Sequence, residues 1–256
     1  MKKDEAVALL SGEFGKRLLG GTINYVINIA WGTFEQRRWR IHSSGTCFFL
    51  DCGAGPFLVT AAHVYEAYVE ALRVNQGLRC QLGQMEFDLA DRLICSLGSD
   101  RLDIATFRIS ADELAALAKQ ATHGRREWPP ANVTVDDGIF FGGFPGRERF
   151  QIGDAAVEFG LYVGLTPVSS CSERHFGCSL ERDEWIDVIG NGIPEVGYDL
   201  GGISGGPAFS IVESAAGLIS WQIAGVVYNA TASLGEIVLI HHARFIMPNG
   251  QLQAPA

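Results

Sequence analysis

Along most of this chain, apolar residues gather in short runs punctuated by glycine and proline, the pattern of many short strands joined by tight turns. The first β-type runs are "TINYVINIAWGTF" and "RRWRIHSSGTCFFLDC". In the second, strand alternation places Trp39 inward and leaves Arg38 and Arg40 on a solvated face. "TCFFLDCGAGPFLVTAA" reads as a hairpin, two apolar runs around the glycine turn at 53–55. A helical piece, "VYEAYVEALRV", follows His63, and the next strands end in "RLDIATFRIS". Strand character returns from Ile139 in "IFFGGFPG", "AAVEFGLYVGLTPV", "EWIDVIG", "GGPAFSIV", "WQIAGVVYNA" and "EIVLIHHARFI". Between the two groups lies a stretch that is helical, then polar and proline-bearing, and it serves best as a linker.

The expected organisation is therefore a helical extension over 1–21, a first β half over 22–110, a linker over 111–138, a second β half over 139–247 and a tail over 248–256. In the extension, Ala6, Leu9, Leu10 and Phe14 share one side of an amphipathic helix that Gly20 and Gly21 stop.

Composition narrows the possible functions. With 256 residues, 47% hydrophobic and 19% charged, the chain is long enough for one large domain or two small ones. The net charge of −9 gives no electrostatic footprint for nucleic acid or an anionic membrane surface, so neither is an expected partner. No apolar run approaches a membrane span, and acidic residues in the first five positions argue against a signal peptide. Six cysteines then read as reduced thiols of a cytoplasmic protein. Cys47 and Cys52 are an odd number of residues apart, so an unbroken strand would point them to opposite faces.

"DLGGISGGPAF", residues 199–209, supplies the chemistry. So much backbone freedom around one hydroxyl implies a close approach at Ser204. A serine becomes a nucleophile when a neighbouring base takes its proton and a third group orients that base. The attacked carbonyl also needs donors aimed at its developing charge, often backbone N–H groups. His63 closes "FLVTAAHV" and Asp103 opens "DIATFRI", both where strands end.

"TAAHV", "DIATF" and "GISGGPAF", in that order and spacing, resemble the three catalytic segments of the chymotrypsin-like (trypsin-like) serine peptidases. "GGFPG" at 142–146 is similar to the glycine-proline turn in the second barrel of bacterial members. The resemblance covers roughly residues 22–247. It implies an all-β fold of two six-stranded antiparallel barrels with the site between them, and an endopeptidase acting on protein or peptide substrates without a metal or other cofactor. It assigns His63 as general base and acid, Asp103 as its orienting carboxylate and Ser204 as nucleophile. The backbone N–H groups of Gly202 and Ser204 would form the oxyanion hole. The substrate pocket would be built from Tyr198 and Asp199 together with Val227, Tyr228 and Asn229; Tyr198 at its base implies a preference for uncharged side chains, while Asp199 next door keeps a preference for basic ones open.

Other readings compete. Asp100 is a rival third member in the same loop as Asp103. Gly202-Ile203-Ser204-Gly205-Gly206 also satisfies the α/β-hydrolase elbow, with Glu213, Glu236, His241 and His242 downstream, but Pro207 and a β-like run follow the serine where that fold needs a helix. His241 and His242 are better read as strand residues on opposite faces. Cys171, His175 and Cys178 in "CSERHFGC" invite zinc but lack a close pair and a fourth ligand, and a hairpin tip fits better. A peptidase fold kept as a binding module and an esterase-like acyl hydrolase remain alternative functions. Two residues depart from secreted or zymogen-type members: Val64 stands where a cysteine is usual, and Ile203 stands where an aspartate would pair with a newly cut N-terminus. The oxyanion hole should therefore form without N-terminal processing.

Overall fold

The computed structural model describes residues 8, 11–35, 38–123, 128–152, 156–181, 183, 185–188, 192–214, 216–231 and 236–254. Two antiparallel sheets dominate them. The first contains β1 (Val26–Glu35), β2 (Arg38–Asp51), β3 (Pro56–Thr60), β4 (Arg79–Leu82), β5 (Met85–Glu86), β6 (Leu93–Leu97) and β7 (Ile104–Arg108). Their order is β5-β4-β1-β2-β3-β7-β6, with β8 (Thr122–His123) added in parallel beside Leu50 and Asp51 of β2. The second half contributes β9 (Gly138–Gly143), a separate hairpin of β10 (Arg149–Ile152) and β11 (Ala156–Phe159), then β12 (Tyr162–Pro167), β13 (Ser170–Cys171) and β14 (His175–Ser179). It is completed by β15 (Pro207–Glu213), β16 (Ile219–Thr231) and β17 (Ile237–His242). These order as β12-β9-β15-β16-β17-β14-β13. This is the expected all-β architecture of two antiparallel sheets, although each sheet has seven strands in its path where six were expected. The two-residue strands β5 and β13 extend hairpins at the sheet edges and account for the extra count.

Strand alternation builds the core. Along β2, Cys47 and Phe49 enter a cluster with Trp31, Leu58 and Phe107 inside the first half. Phe48 and Leu50, on the opposite face, join Val59, Ile104, Phe140, Phe209 and Val226 in a cluster shared by both halves. Strand β9 does the same from the other side: Phe140 faces the shared cluster while Ile139 and Phe141 face the second half's own core. Leu18 and Leu19 of α1 (Glu13–Gly21) also pack into the shared cluster. The two halves are therefore joined by apolar surface, each fully buried side chain contributing roughly 1.5–3 kcal/mol.

The hairpin of β2 and β3 pairs as expected, Phe48 with Val59 and Asp51 with Pro56, and Trp39 is buried between exposed Arg38 and Arg40. Cys47 and Cys52 do reach different clusters. Of the expected N-terminal helical face, Phe14 packs near the shared cluster, while Ala6, Leu9 and Leu10 lie outside the described residues. Three local expectations fail. The run "AAVEFGLYVGLTPV" is two strands, β11 and β12, belonging to different sheets. The run "EWIDVIG" forms no strand among its described residues; Asp187 Oδ2 accepts the Gly192 N–H at 2.7 Å, a local bond that competes with ladder pairing. His63 does not close a strand: β3 stops at Thr60, and helix α2 (Ala62–Val74) already contains it.

The stretch joining the halves has structure of its own. Helix α4 (Ala111–Ala116), which follows the single turn α3 (Leu89–Arg92), opens with a reciprocal capping box between Ser110 and Glu113. Trp128 Nε1 donates to the Ile246 carbonyl at 2.7 Å. The tail also folds back, Gly250 O accepting from buried Thr106 Oγ1 at 2.6 Å.

Candidate active site

His63 occupies the second position of α2, whose N-cap Ala61 offers no side-chain acceptor. Asp103, which leads into the neighbouring strand β7, supplies one. Its Oδ1 accepts the His63 N–H at 2.9 Å and its Oδ2 meets His63 Nδ1 at 2.8 Å. One carboxylate thus caps the helix and orients the ring, in the place where the helix macrodipole favours negative charge. Asp103 can do so because it sits at φ 50°, a left-handed conformation that aspartate tolerates, held by its own N–H to Gly98 O at 3.0 Å. It is 4% exposed, whereas its rival Asp100 lies on the surface of the same turn. The hydrogen bond from Asp103, its charge and that of Glu66 raise the His63 pKa above 6.5 despite partial burial. With Nδ1 engaged, Nε2 is the nitrogen left for a substrate or nucleophile.

Ser204 lies in the turn that precedes β15 in the second half, fixed against the first half by one buried residue, Thr46. Thr46 N donates to Ser204 O at 3.1 Å, and Thr46 Oγ1 donates to Gly202 O at 2.8 Å while accepting the Phe144 N–H at 2.8 Å. Thr60 Oγ1 in turn donates to Thr46 O at 2.6 Å. Gly205, at φ 89°, makes this approach possible: a Cβ there would lie 2.1 Å from Thr46 O and 2.9 Å from Ala61 N. The loop carrying Ser204 is therefore seated directly against the residues that open the His63 helix. Ser204 Oγ itself donates to Tyr228 O at 3.3 Å rather than to His63.

Above the serine, Gly202 takes φ 105° and packs against the loop after β9; a Cβ there would lie 2.7 Å from Phe144 O and 2.9 Å from Gly146 N. The Gly201 carbonyl accepts the Gly146 N–H at 2.7 Å. Because the C=O and N–H of a trans peptide point in opposite directions, the Gly202 N–H is turned away from Gly146. Among the described residues neither Gly202 N–H nor Ser204 N–H donates to a protein acceptor. Ile203, 1% exposed, is packed into the second core.

The expected pocket residues separate. Tyr198 and Asp199 border a small cavity, about 30 Å³, with Tyr162, Leu180, Trp185 and Leu200. Asp199 Oδ1 accepts the Gly201 N–H at 2.8 Å, which commits its charge to the turn. Val227 does not face the cavity: it is fully buried in the second half's core. Tyr228, at a bulge of β16, stacks on His241 with centroids 3.9 Å apart, and Asn229 is exposed. A larger cavity, about 560 Å³, lies elsewhere, between the β2–β3 turn and the C-terminal turn, and includes none of His63, Asp103 or Ser204.

The remaining candidates also resolve. Cys171 is exposed and its thiol donates to Val133 O, whereas Cys178 is inside the second core, so the pair does not converge with His175. His241 and His242 are both buried, with Nδ1 of the first near Arg174 O and Nε2 of the second near Ser172 O. Glu213 lies at the exposed end of β15. Thr46, Arg147 and Glu148 were not singled out from sequence, although a threonine buried within "TCFFL" is the kind of polar interruption that marks a bonded position.

No family model matches the chain, and no curated protein matches it in sequence. Among solved structures, it is similar to the serine protease domain of the Sesbania mosaic virus polyprotein at 15% identity and TM-score 0.45, covering 89% of this chain and 92% of that one. It is similar to the thermostable serine protease AL20 from an extremophilic microorganism at 11% identity and TM-score 0.47, covering 86% and 91%. A structure concerned with the coupled folding and binding of the intrinsically disordered Sesbania mosaic virus VPg protein gives 13% identity and TM-score 0.44, covering 86% and 87%.

Proposed function

We propose that this protein is a serine endopeptidase that cleaves protein or peptide substrates through His63, Asp103 and Ser204. The observation that carries the reading is the two-bond capture of His63 by a buried Asp103, opposite a serine loop with two uncommitted backbone N–H groups. In the proposed step, Ser204 Oγ turns from the Tyr228 carbonyl and forms a bond to the substrate carbonyl carbon. Its proton passes to His63 Nε2 while Asp103 holds the resulting imidazolium. The former carbonyl oxygen, now negative, accepts from Gly202 and Ser204 N–H. Collapse expels the amine, which takes the proton from His63. Water, deprotonated by the same histidine, then releases the acid and restores the serine.

The tightly filled cavity at Tyr198, with Asp199 tied to Gly201, supports a preference for uncharged side chains before the scissile bond. All six cysteines are free thiols, which supports a reducing, cytoplasmic setting; among the described residues no helix is long and apolar enough to cross a membrane. The hydrogen bond from Ser204 to Tyr228 instead of His63 favours one second reading, a binding module that keeps the fold without turnover.

A fluorophosphonate with mass mapping separates the two. Labelling confined to Ser204, and turnover lost in both Ser204→Ala and His63→Ala by on the order of 10⁶-fold, is the expected result. A folded protein that takes up no label, or activity retained in Ser204→Ala, would sink the assignment.

A further inference from the structure

The loop after β9 grips the segment before Ser204 through four contacts that a peptidase reading alone does not require. Gly146 N–H holds Gly201 O at 2.7 Å. The next residue, Arg147, lays its guanidinium over the Tyr198 ring, 4.5 Å from the centroid, and pairs with Glu195 at 2.8 Å. Glu148 Oε1 accepts the Tyr198 hydroxyl at 2.5 Å, and the Tyr198 ring also stacks on Tyr162 of β12 with centroids 5.8 Å apart. Tyr198 is thus fixed by its ring and its hydroxyl, with little freedom to act as an adaptable pocket floor.

We propose that Arg147, Glu148 and Tyr198 form a clamp that sets the Gly201–Gly202 peptide with its N–H toward the substrate carbonyl, making them positioning residues for the oxyanion hole. The inference rests on the peptidase reading above. The logic is mechanical. Gly146 can hold the Gly201 carbonyl only while its loop is docked, and Gly202 at φ 105° has the freedom to let that peptide rotate. If it rotated, the carbonyl would replace the N–H and the developing negative charge would meet an acceptor. Ile203, apolar and buried under this peptide, offers no charge to hold it from below. The Arg147–Glu195 pair is largely exposed and by itself holds little, so the hold falls on the Tyr198 ring and hydroxyl.

The test is the acylation of Ser204 by p-nitrophenyl acetate, whose acetyl group has no side chain to occupy a specificity pocket. In the full chain, Tyr198→Phe and Arg147→Ala are each expected to lower the acylation rate at least tenfold with little change in KM. Arg147→Lys, which keeps a cation over the ring, should restore part of it. Glu148→Ala removes the same hydrogen bond from the other partner, and its loss should not add to that of Tyr198→Phe in the double variant. Melting temperatures identify any variant whose loss is unfolding, and the remaining variants decide. Wild-type rates in folded Tyr198→Phe and Arg147→Ala would overturn the clamp while leaving the peptidase reading intact. Losses with side-chain-bearing peptide substrates alone would overturn it too, in favour of a pocket role. A wild-type protein that p-nitrophenyl acetate never acylates at Ser204 would overturn both.

Discussion

Asp103 serves two demands with one carboxylate: it accepts from the N-terminus of the helix and from the imidazole ring. Its effect on His63 fixes the sign of the pH response. The carboxylate stabilises the charged imidazole, so His63 becomes a free base only above its ordinary value of 6.5. Peptidase activity should therefore rise with pH through a midpoint above 6.5, measured as kcat/KM on the free enzyme. In Asp103→Asn the midpoint should fall and the rate should drop by about 10⁴-fold. A midpoint unmoved by that substitution would remove Asp103 from the role. The same shift is a stability statement with its own sign: a raised histidine pKa stabilises the fold fully below 6.5, and that contribution fades as pH climbs through the raised value.

Among the elements, β17 has the opposite chemistry. His241 is buried beneath Tyr228, and burial pushes its pKa down to about 4, while His242 beside it is also lowered by burial. A histidine held neutral in the fold is protonated more readily once the chain unfolds. Stability should hold above pH 6.5 and decline as pH falls from there toward 4. Melting temperatures across that window would follow it, with the decline shallower in His241→Phe, an aromatic that keeps a ring against Tyr228. A variant as acid-sensitive as the wild type would place the effect elsewhere.

Elements also divide what the sequence revealed from what it hid. The hairpin of β2 and β3 and the three signature segments were legible because local rules decide them: alternation, a glycine turn, a glycine-flanked serine. The start of α2 was not, since its cap comes from Asp103, forty residues away in sequence. Thr46 was hidden for a similar reason, as its partners Ser204 and Gly202 belong to the other half. Val227 was expected to line the pocket, but the bulge after it in β16 leaves its side chain in the core.

At the scale of the whole molecule, the shared cluster gives α1 a structural role. Leu18 and Leu19 bury themselves between the halves, 4% and 5% exposed. A chain beginning at Thr22 should lose stability, roughly 2–5 kcal/mol for each leucine-sized void, while its kcat below the lowered melting temperature stays within a few-fold. Denaturant titration and turnover on the same samples check both parts. Full activity appearing only after removal of α1 would instead make that helix an inhibitory segment and would contradict the expectation that the site forms without processing.

The position of Thr46 sets a limit on how long the site can last. Its bonds to Ser204 and Gly202 join strand β2 of one half to the Ser204 loop of the other, so the proposed catalytic geometry exists only while the halves stay docked. The first half keeps the His63–Asp103 pair, but Ser204 belongs to the second, so the three residues come together only at the junction. If the proposed activity holds, its loss on heating should follow one event, the parting of Phe48 from Phe209 and their neighbours, and not many local failures. Such a protein would age by abrupt loss, molecule by molecule, with each survivor as active as on its first turnover.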